Sequence, residues 1–404
     1  MTARAGAAGR QLAVISAAVV LGLAPWFSAT AVGPAMVAQW HLDPSAAAWL
    51  TMAVQLGFVV GTLVSAAFML SDRWSAERLA AWSSALAAAS TAAIACGAAS
   101  ASTAIALRVL TGVALAGVYP PAMKLVAGWY RERRGLAIGI LVGALSLGSA
   151  APHLLRVLVP LGAWRGVMLA AALSALAGAA LFGFAARPGP YQALSSPLDW
   201  GVLRRIVRDR AVMLTTAGYL GHMWELYAMW SWVLAFWTAS VVMRDGSPVL
   251  PALMAFAALA AGAVGCVIGG WAADRIGRTA LTIAAMLVSA SCALVIGAAS
   301  RGPLVLLAGI TLLWGVSVVA DSAQFSTCVT ELVPPEYAGT ALTLQTALGF
   351  LLTIVSIRCV PLWVARWGWD YAFMPLAAGP LLGSLAMWRL RQLPEAKRLA
   401  SGAR

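Results

Sequence analysis

The chain has 404 residues, 62% of them hydrophobic and 10% charged, with a mean hydropathy of +0.86 and a formal net charge of +13. That charged share is far below the roughly 25% of soluble domains, so polar groups are too few to cover a water-facing surface. A soluble globular fold is excluded, and so is a nucleic-acid stripe, because the basic residues fall in short clusters between apolar runs.

In chain order, apolar runs of about 18 residues or more predict membrane-spanning helices. Arg4 and Arg10 precede the first, over 12–37, and Ala29-Thr30-Ala31 within it would suit a signal peptidase. The run is longer than the roughly 7–15 residues of a signal core, so it reads as a retained span. Spans 2 to 6 are expected over 45–70, 79–98, 102–129, 136–157 and 164–185. The loop after span 2 reads Ser71-Asp72-Arg73-Trp74-Ser75-Ala76-Glu77-Arg78. Span 4 carries Arg108-Val109-Leu110-Thr111-Gly112 and then Gly117-Val118-Tyr119-Pro120-Pro121, where the prolines predict a kink. Span 5 has Gly139, Gly143, Gly148 and Pro152.

The stretch 186–210 is the one long polar interruption and reads as a linker between halves 1–185 and 211–404. Spans 7 to 12 follow over 211–241, 249–272, 280–299, 303–330, 338–358 and 371–390, ahead of a short basic tail. After span 8 comes Gly270-Trp271-Ala272-Ala273-Asp274-Arg275-Ile276-Gly277-Arg278, whose Asp-Arg pair lies 202 residues beyond Asp72-Arg73. An acid–base pair recurring after the second span of each half predicts duplicated six-helix units in parallel orientation. With both termini inside, nineteen Lys and Arg fall on the inner side against six outside, which predicts cytoplasmic termini.

The five cysteines are odd in number and form no C-x-x-C, so neither a disulfide framework nor a zinc site is indicated. No G-x-x-x-x-G-K-[ST], H-E-x-x-H or G-x-S-x-G occurs, which argues against ATP-driven transport and against an enzyme.

Ionisable groups inside a span cost at least about 2.5–3.5 kcal/mol each on insertion scales and usually face a cavity or a partner. On span 7, Thr215, Gly218, His222, Glu225 and Met229 share one stripe, flanked by Tyr227 and Trp230. On span 10, Trp314, Ser317, Asp321, Gln324, Cys328 and Glu331 recur at three- and four-residue steps. Span 4 presents Arg108, Gly112 and Tyr119 on one face; Arg108 reads either as a cavity cation or as a side chain snorkelling to the interface. The 202-residue offset places Asp321 opposite Tyr119. Three readings of His222 and Glu225 stay open: a mutual structural pair, a proton-exchanging or substrate-contacting pair, and a metal pair at i, i+3. The last lacks a second pair, so no metal is expected.

With these motifs the chain resembles the major facilitator superfamily over essentially its full length. Its loop motif has the form G-x-x-x-D-[RK]-x-G-[RK]-[RK]. The second copy keeps Gly270, Asp274, Arg275, Gly277 and Arg278, with Thr279 in place of the last base. The first keeps Asp72, Arg73 and Arg78 but has Phe68 and Ser75 where glycines are expected. Arg108 to Gly112 with Gly117 and Pro120 is similar to the family's span-4 motif. WFSATAV, VQLGFVVGTL, GHMWELYAMW and ADSAQFS look like a bacterial branch loosely similar to nitrate/nitrite and cyanate-type carriers.

The resemblance implies an all-α membrane protein of twelve transmembrane helices in two six-helix pseudo-symmetric bundles, with spans 1, 4, 7 and 10 lining a cavity. It implies a secondary active transporter of a bacterial-type plasma membrane, working by alternating access. A small-molecule substrate, protons and membrane lipid would be its partners, with no cofactor, no nucleic acid and a monomeric state. Proton coupling then falls to Glu225, Asp321 and His222, and substrate contact to Tyr119, Arg108, Gln324, Trp224 and Tyr227. The cytoplasmic gate falls to Asp72, Arg73, Arg78, Gly270, Asp274, Arg275, Gly277 and Arg278. Arg108 favours a small organic anion as substrate, whereas the aromatics of span 7 suit proton-driven export of amphipathic compounds. A non-transporting membrane sensor on the same scaffold is the alternative from another class.

Overall fold

Proline marks several of the helix breaks, and glycine marks where helices touch. The computed structural model describes residues 2–68, 70–130, 134–159, 163–191, 200–242 and 247–402, so residues 192–199 of the expected linker lie outside the described residues. All described elements are helical. The first half runs α1 (Thr2–Gly22), α2 (Ser28–Ala31), α3 (Gly33–Trp40), α4 (Pro44–Ala67), α5 (Leu70–Arg73), α6 (Ala76–Gly97), α7 (Ala101–Leu115), α8 (Tyr119–Ala127), α9 (Arg134–Leu158) and α10 (Trp164–Ala180), the last continuing into a π-helical turn at Leu181–Ala185. The second runs α11 (Trp200–Ile206), α12 (Arg210–Val242), α13 (Leu250–Ile276), α14 (Arg278–Ala299), α15 (Leu304–Ala320), α16 (Ser322–Leu332), α17 (Pro335–Trp367), α18 (Trp369–Ala372), a 3-10 turn at Met374–Ala377, α19 (Ala378–Gln392) and a 3-10 segment at Pro394–Gly402.

Each proline break leaves a carbonyl that another helix must satisfy, since lipid offers no hydrogen-bond donor. Pro25 has no N–H for Leu21 O, and Ser174 Oγ of α10 donates to that oxygen at 3.1 Å. Pro361, inside α17, likewise leaves Ile357 O to the indole Nε1 of Trp232 on α12, at 3.0 Å. The expected first span is therefore not one helix but α1, α2 and α3. The fourth is α7 and α8, divided at Ala116–Val118 just ahead of Pro120 and Pro121. The tenth is α15 and α16, divided at Asp321, where no proline stands.

Among the described residues ten helical segments are long and apolar enough to cross a membrane, against the twelve spans expected. The first expected span falls outside because its breaks leave a shorter apolar helix, Gly6–Gly22. The seventh, α12, is 33 residues long, but Arg210, His222, Glu225 and four tryptophans dilute its hydropathy. The chain is a multi-pass membrane protein.

The chain divides into two compact units, Met1–Leu194 and Ser195–Arg404. In the first, α4 and α7 meet backbone to backbone: a Cβ on Gly57 would lie 2.0 Å from Val109 O, and one on Gly112 would lie 2.1 Å from Val54 O. In the second, α13 and α15 repeat the contact, with added Cβ atoms on Gly265, Gly269 and Gly315 each 2.1 Å from Val316, Ala320 and Ala258 O respectively. Gly112 with Val54 and Gly315 with Ala258 are related by 203 and 204 residues, close to the 202 of the loops. By this packing register Asp321 falls opposite Val118, next to Tyr119. The two copies differ in the turn that follows. Gly277 alone joins α13 to α14, with φ 94° and ψ 152°, a conformation open to glycine. The first copy, with Ser75 there, turns through α5 and an extended Ser75 at φ −62° and ψ 141°.

Candidate functional site

The second unit encloses a chain of ionisable groups contributed by α12, α14, α15 and α16. Glu225 is 1% exposed, and its two oxygens are held by different helices. Ser289 Oγ of α14 donates to Oε2 at 2.5 Å, and Trp314 Nε1 of α15 donates to Oε1 at 2.8 Å. His222, one turn earlier, places Nδ1 2.9 Å from Asp321 Oδ1, an ion pair whenever the imidazole is protonated. Its ring lies 6.1 Å from Tyr219 and 5.5 Å from Phe325, so apolar surface encloses it. His222 and Glu225 thus answer to different partners and not to each other. Among the described residues no group of three or more His, Cys, Asp and Glu is placed to hold a metal ion, and the five cysteines are free.

Asp321 sits at the break between α15 and α16, at φ −88° and ψ −15°. One turn on, Gln324 Oε1 accepts from Arg278 Nη1 at 2.8 Å. Arg278, 6% exposed, forks onto Glu331 through Nε at 2.8 Å and Nη2 at 2.6 Å. Its Nη1 also lies 3.6 Å from Asp274, four residues back near the end of α13. Arg278, the base that follows Gly277 in the motif, is therefore a buried tie from α14 to α16. Arg275, by contrast, is exposed and lies over the Trp271 ring at 3.9 Å. Gly270 is buried. In the first copy Arg73 and Arg78 are exposed, and the Asp72 side chain lies outside the described ones.

Arg108 is fully enclosed in the first unit, which removes the snorkelling reading. Its Nε donates to Leu50 O at 3.0 Å, Nη1 to Pro25 O at 2.6 Å, and Nη2 to Trp26 O. Nη1 also reaches Ser28 Oγ at 3.4 Å. All three nitrogens are turned to the protein, mostly to carbonyls freed where α1 breaks. Tyr119, half-buried, opens α8 in the same unit. Trp224 donates Nε1 to Pro375 O at 3.2 Å, and Tyr227 packs 5.1 Å from Phe350 and 5.6 Å from Trp230.

The structure thus brings His222, Glu225, Asp321, Gln324 and Arg278 together in one unit and leaves Arg108 and Tyr119 in the other. Ser289 had no sequence signal: a lone serine in an apolar helix reads as packing. Trp314 and Glu331 were visible as the two ends of the span-10 stripe, but nothing in the spacing said which side chains they would bind.

Stacked apolar helices, carbonyls at helix breaks satisfied from neighbouring helices, and a buried acid–histidine cluster define a polytopic helical membrane protein. The chain belongs to the Major Facilitator Superfamily, whose family model matches residues 14–357. That family is one of membrane transporters, not of enzymes. Among curated relatives, an MFS-type transporter, pytF, of Aspergillus terreus is 30% identical over 178 residues, 43% of this chain. The chain spans 58% of that relative's length. The MFS transporter asaE of Aspergillus flavus is 22% identical over 349 residues, covering 85% of this chain and 76% of its own. Neither is named as a nitrate or cyanate carrier. Among solved structures, the proton:xylose symporter XylE superposes with a TM-score of 0.72 at 13% identity, covering 96% of each chain. A bacterial homolog of the human lysosomal transporter Spinster, inward-facing and unoccupied, gives 0.69 at 14% identity, over 96% of this chain and 99% of its own. Both likenesses are of fold.

Proposed function

We propose that the chain is a secondary active transporter of the plasma membrane, with twelve spans and cytoplasmic termini, moving a small solute by alternating access driven by protons. The observation that carries this reading is the enclosure of two carboxylates and an imidazole within one membrane-embedded unit. Such groups are expensive to keep in a bilayer and mark ion or proton pathways. Protonating Asp321 removes its charge from His222. Protonating Glu225 leaves it a poorer acceptor for Ser289 and Trp314. Each event loosens a tie between α12 and another helix, so proton occupancy and helix packing are linked. The family and the proton symporter among its structural neighbours support the same reading.

Arg108 was the ground for an organic anion, and its nitrogens are spent on the protein. Gln324, Trp224, Tyr227 and Tyr119 remain as substrate contacts, which suits a solute met by amide and aromatic groups rather than by a guanidinium. Asp274, Arg275 and Arg278 work as the gate of the second half, and Asp72, Arg73 and Arg78 as that of the first.

The test is flux in proteoliposomes under an imposed pH gradient, with the solute first identified by a thermal-shift screen. Glu225→Gln and Asp321→Asn are each expected to lower proton-driven flux by about tenfold or more, about 1.4 kcal/mol, while solute exchange persists. Unchanged driven flux in both variants overturns the coupling assignment. A folded, ligand-binding protein without flux in any gradient favours the sensor.

A further inference from the structure

The segment after α19 is more than a short basic tail. Leu393, Ala396 and Leu399 recur at three-residue steps, the spacing that stacks side chains along one edge of a 3-10 helix. Residues Pro394–Gly402 adopt that helix, with Ala396 and Leu399 fully buried and Lys397 and Arg398 exposed. The segment packs against α13, α16 and α19, at the end of the second unit where the loop motif lies. Two of its polar groups reach back to α16. The backbone N–H of Ala400 donates to Glu331 Oε2 at 3.1 Å, and Arg398 Nη1 donates to Leu332 O at 3.3 Å.

The oxygen that Ala400 engages is the one that also accepts from Arg278 Nε. Ala400 holds φ at 47°, a left-handed conformation that alanine adopts at a cost. A charge-assisted bond from backbone N–H to carboxylate is strong enough to hold such a turn.

We infer that residues 393–402 form a clamp on the loop motif, fixing Glu331 on Arg278 so that the segment docks and undocks with the gate. This rests on the reading of Asp274 and Arg278 as a moving gate, but the test needs no transport. Purified full-length protein is treated with trypsin, and release of the peptide that begins at Leu399 is followed by mass spectrometry. Docking keeps this site closed, because Leu399 is buried. Glu331→Gln and Ala400→Pro, which removes the N–H and cannot hold a positive φ, are expected to speed release about tenfold. Ala400→Gly keeps the bond, relaxes the turn and slows release. Asp274→Asn, which changes only the far side of Arg278, is expected to speed release severalfold. Should Glu331→Gln fail to fold, Ala400→Pro carries the test, since it alters no membrane-embedded side chain. Wild-type release in Ala400→Pro removes the clamp. Fast release there with wild-type release in Asp274→Asn removes its link to the gate. Failure of solute flux, by contrast, bears only on the transporter reading.

Discussion

Arg108 and Arg278 are both enclosed by protein, yet the chain neutralises them differently. Arg278 meets a carboxylate fork, whereas Arg108 meets carbonyl dipoles and a hydroxyl. Lysine offers a point charge with three donors and cannot reproduce the planar spread of Arg108. Arg108→Lys is expected to lose about 1.5–3 kcal/mol for each charged hydrogen bond left unmade. That would appear as a lower melting temperature and less folded protein, with the apparent solute affinity of the folded fraction unchanged. A shifted affinity at unchanged stability would return Arg108 to the substrate site. Around Glu225, Ser289→Ala and Trp314→Phe each remove one donor and are expected to cost about 1–3 kcal/mol. A double-mutant cycle measured by thermal unfolding should show the two losses to be non-additive, since both act on one carboxylate. At this scale the sequence marked His222, Glu225 and Asp321 but not their partners. An i, i+3 spacing puts His222 and Glu225 on one face, while side-chain direction and the neighbouring helices decide what each one meets.

Among the elements, the apolar runs were legible and the breaks only partly so. Pro120 and Pro121 announced the division of the fourth run, because proline lacks the donor that a continuous helix needs. The division at Asp321 has no such local cause. It coincides with the close seating of Gly269 on Ala320 O, a contact between helices that no window of a single sequence displays. The glycine contacts themselves are testable. Gly57→Ala and Gly265→Ala would drive a methyl into a backbone oxygen and are expected to destabilise by about 1–3 kcal/mol, through overpacking. Gly309→Ala meets nothing within 4 Å and should leave the melting temperature within error or raise it slightly. Equal effects at the three positions would show that the helices are not so closely seated.

For the whole molecule, composition gave the solvent, and the recurring Asp-Arg pair gave the internal repeat before any coordinates. Hidden from it was that the two copies turn differently, through Gly277 in one and through α5 and Ser75 in the other. Orientation follows from the distribution of Lys and Arg and can be checked in intact cells. In a cysteine-free background, Gly302→Cys should react with a membrane-impermeant maleimide added outside, and Lys397→Cys should react only after lysis. The reverse pattern would invert the topology and move the loop motif to the outer face.

The break in α1 at Pro25 has a consequence for synthesis. The carbonyls of Pro25 and Trp26 are capped by a side chain from α7, which leaves the ribosome some eighty residues later. Until that guanidinium arrives, both carbonyls lack this donor, and Pro25 O keeps only its local partners, the N–H and hydroxyl of Ser28. A nascent chain arrested before Arg108 should therefore remain extractable by alkali, whereas one arrested beyond Ala127 should resist extraction.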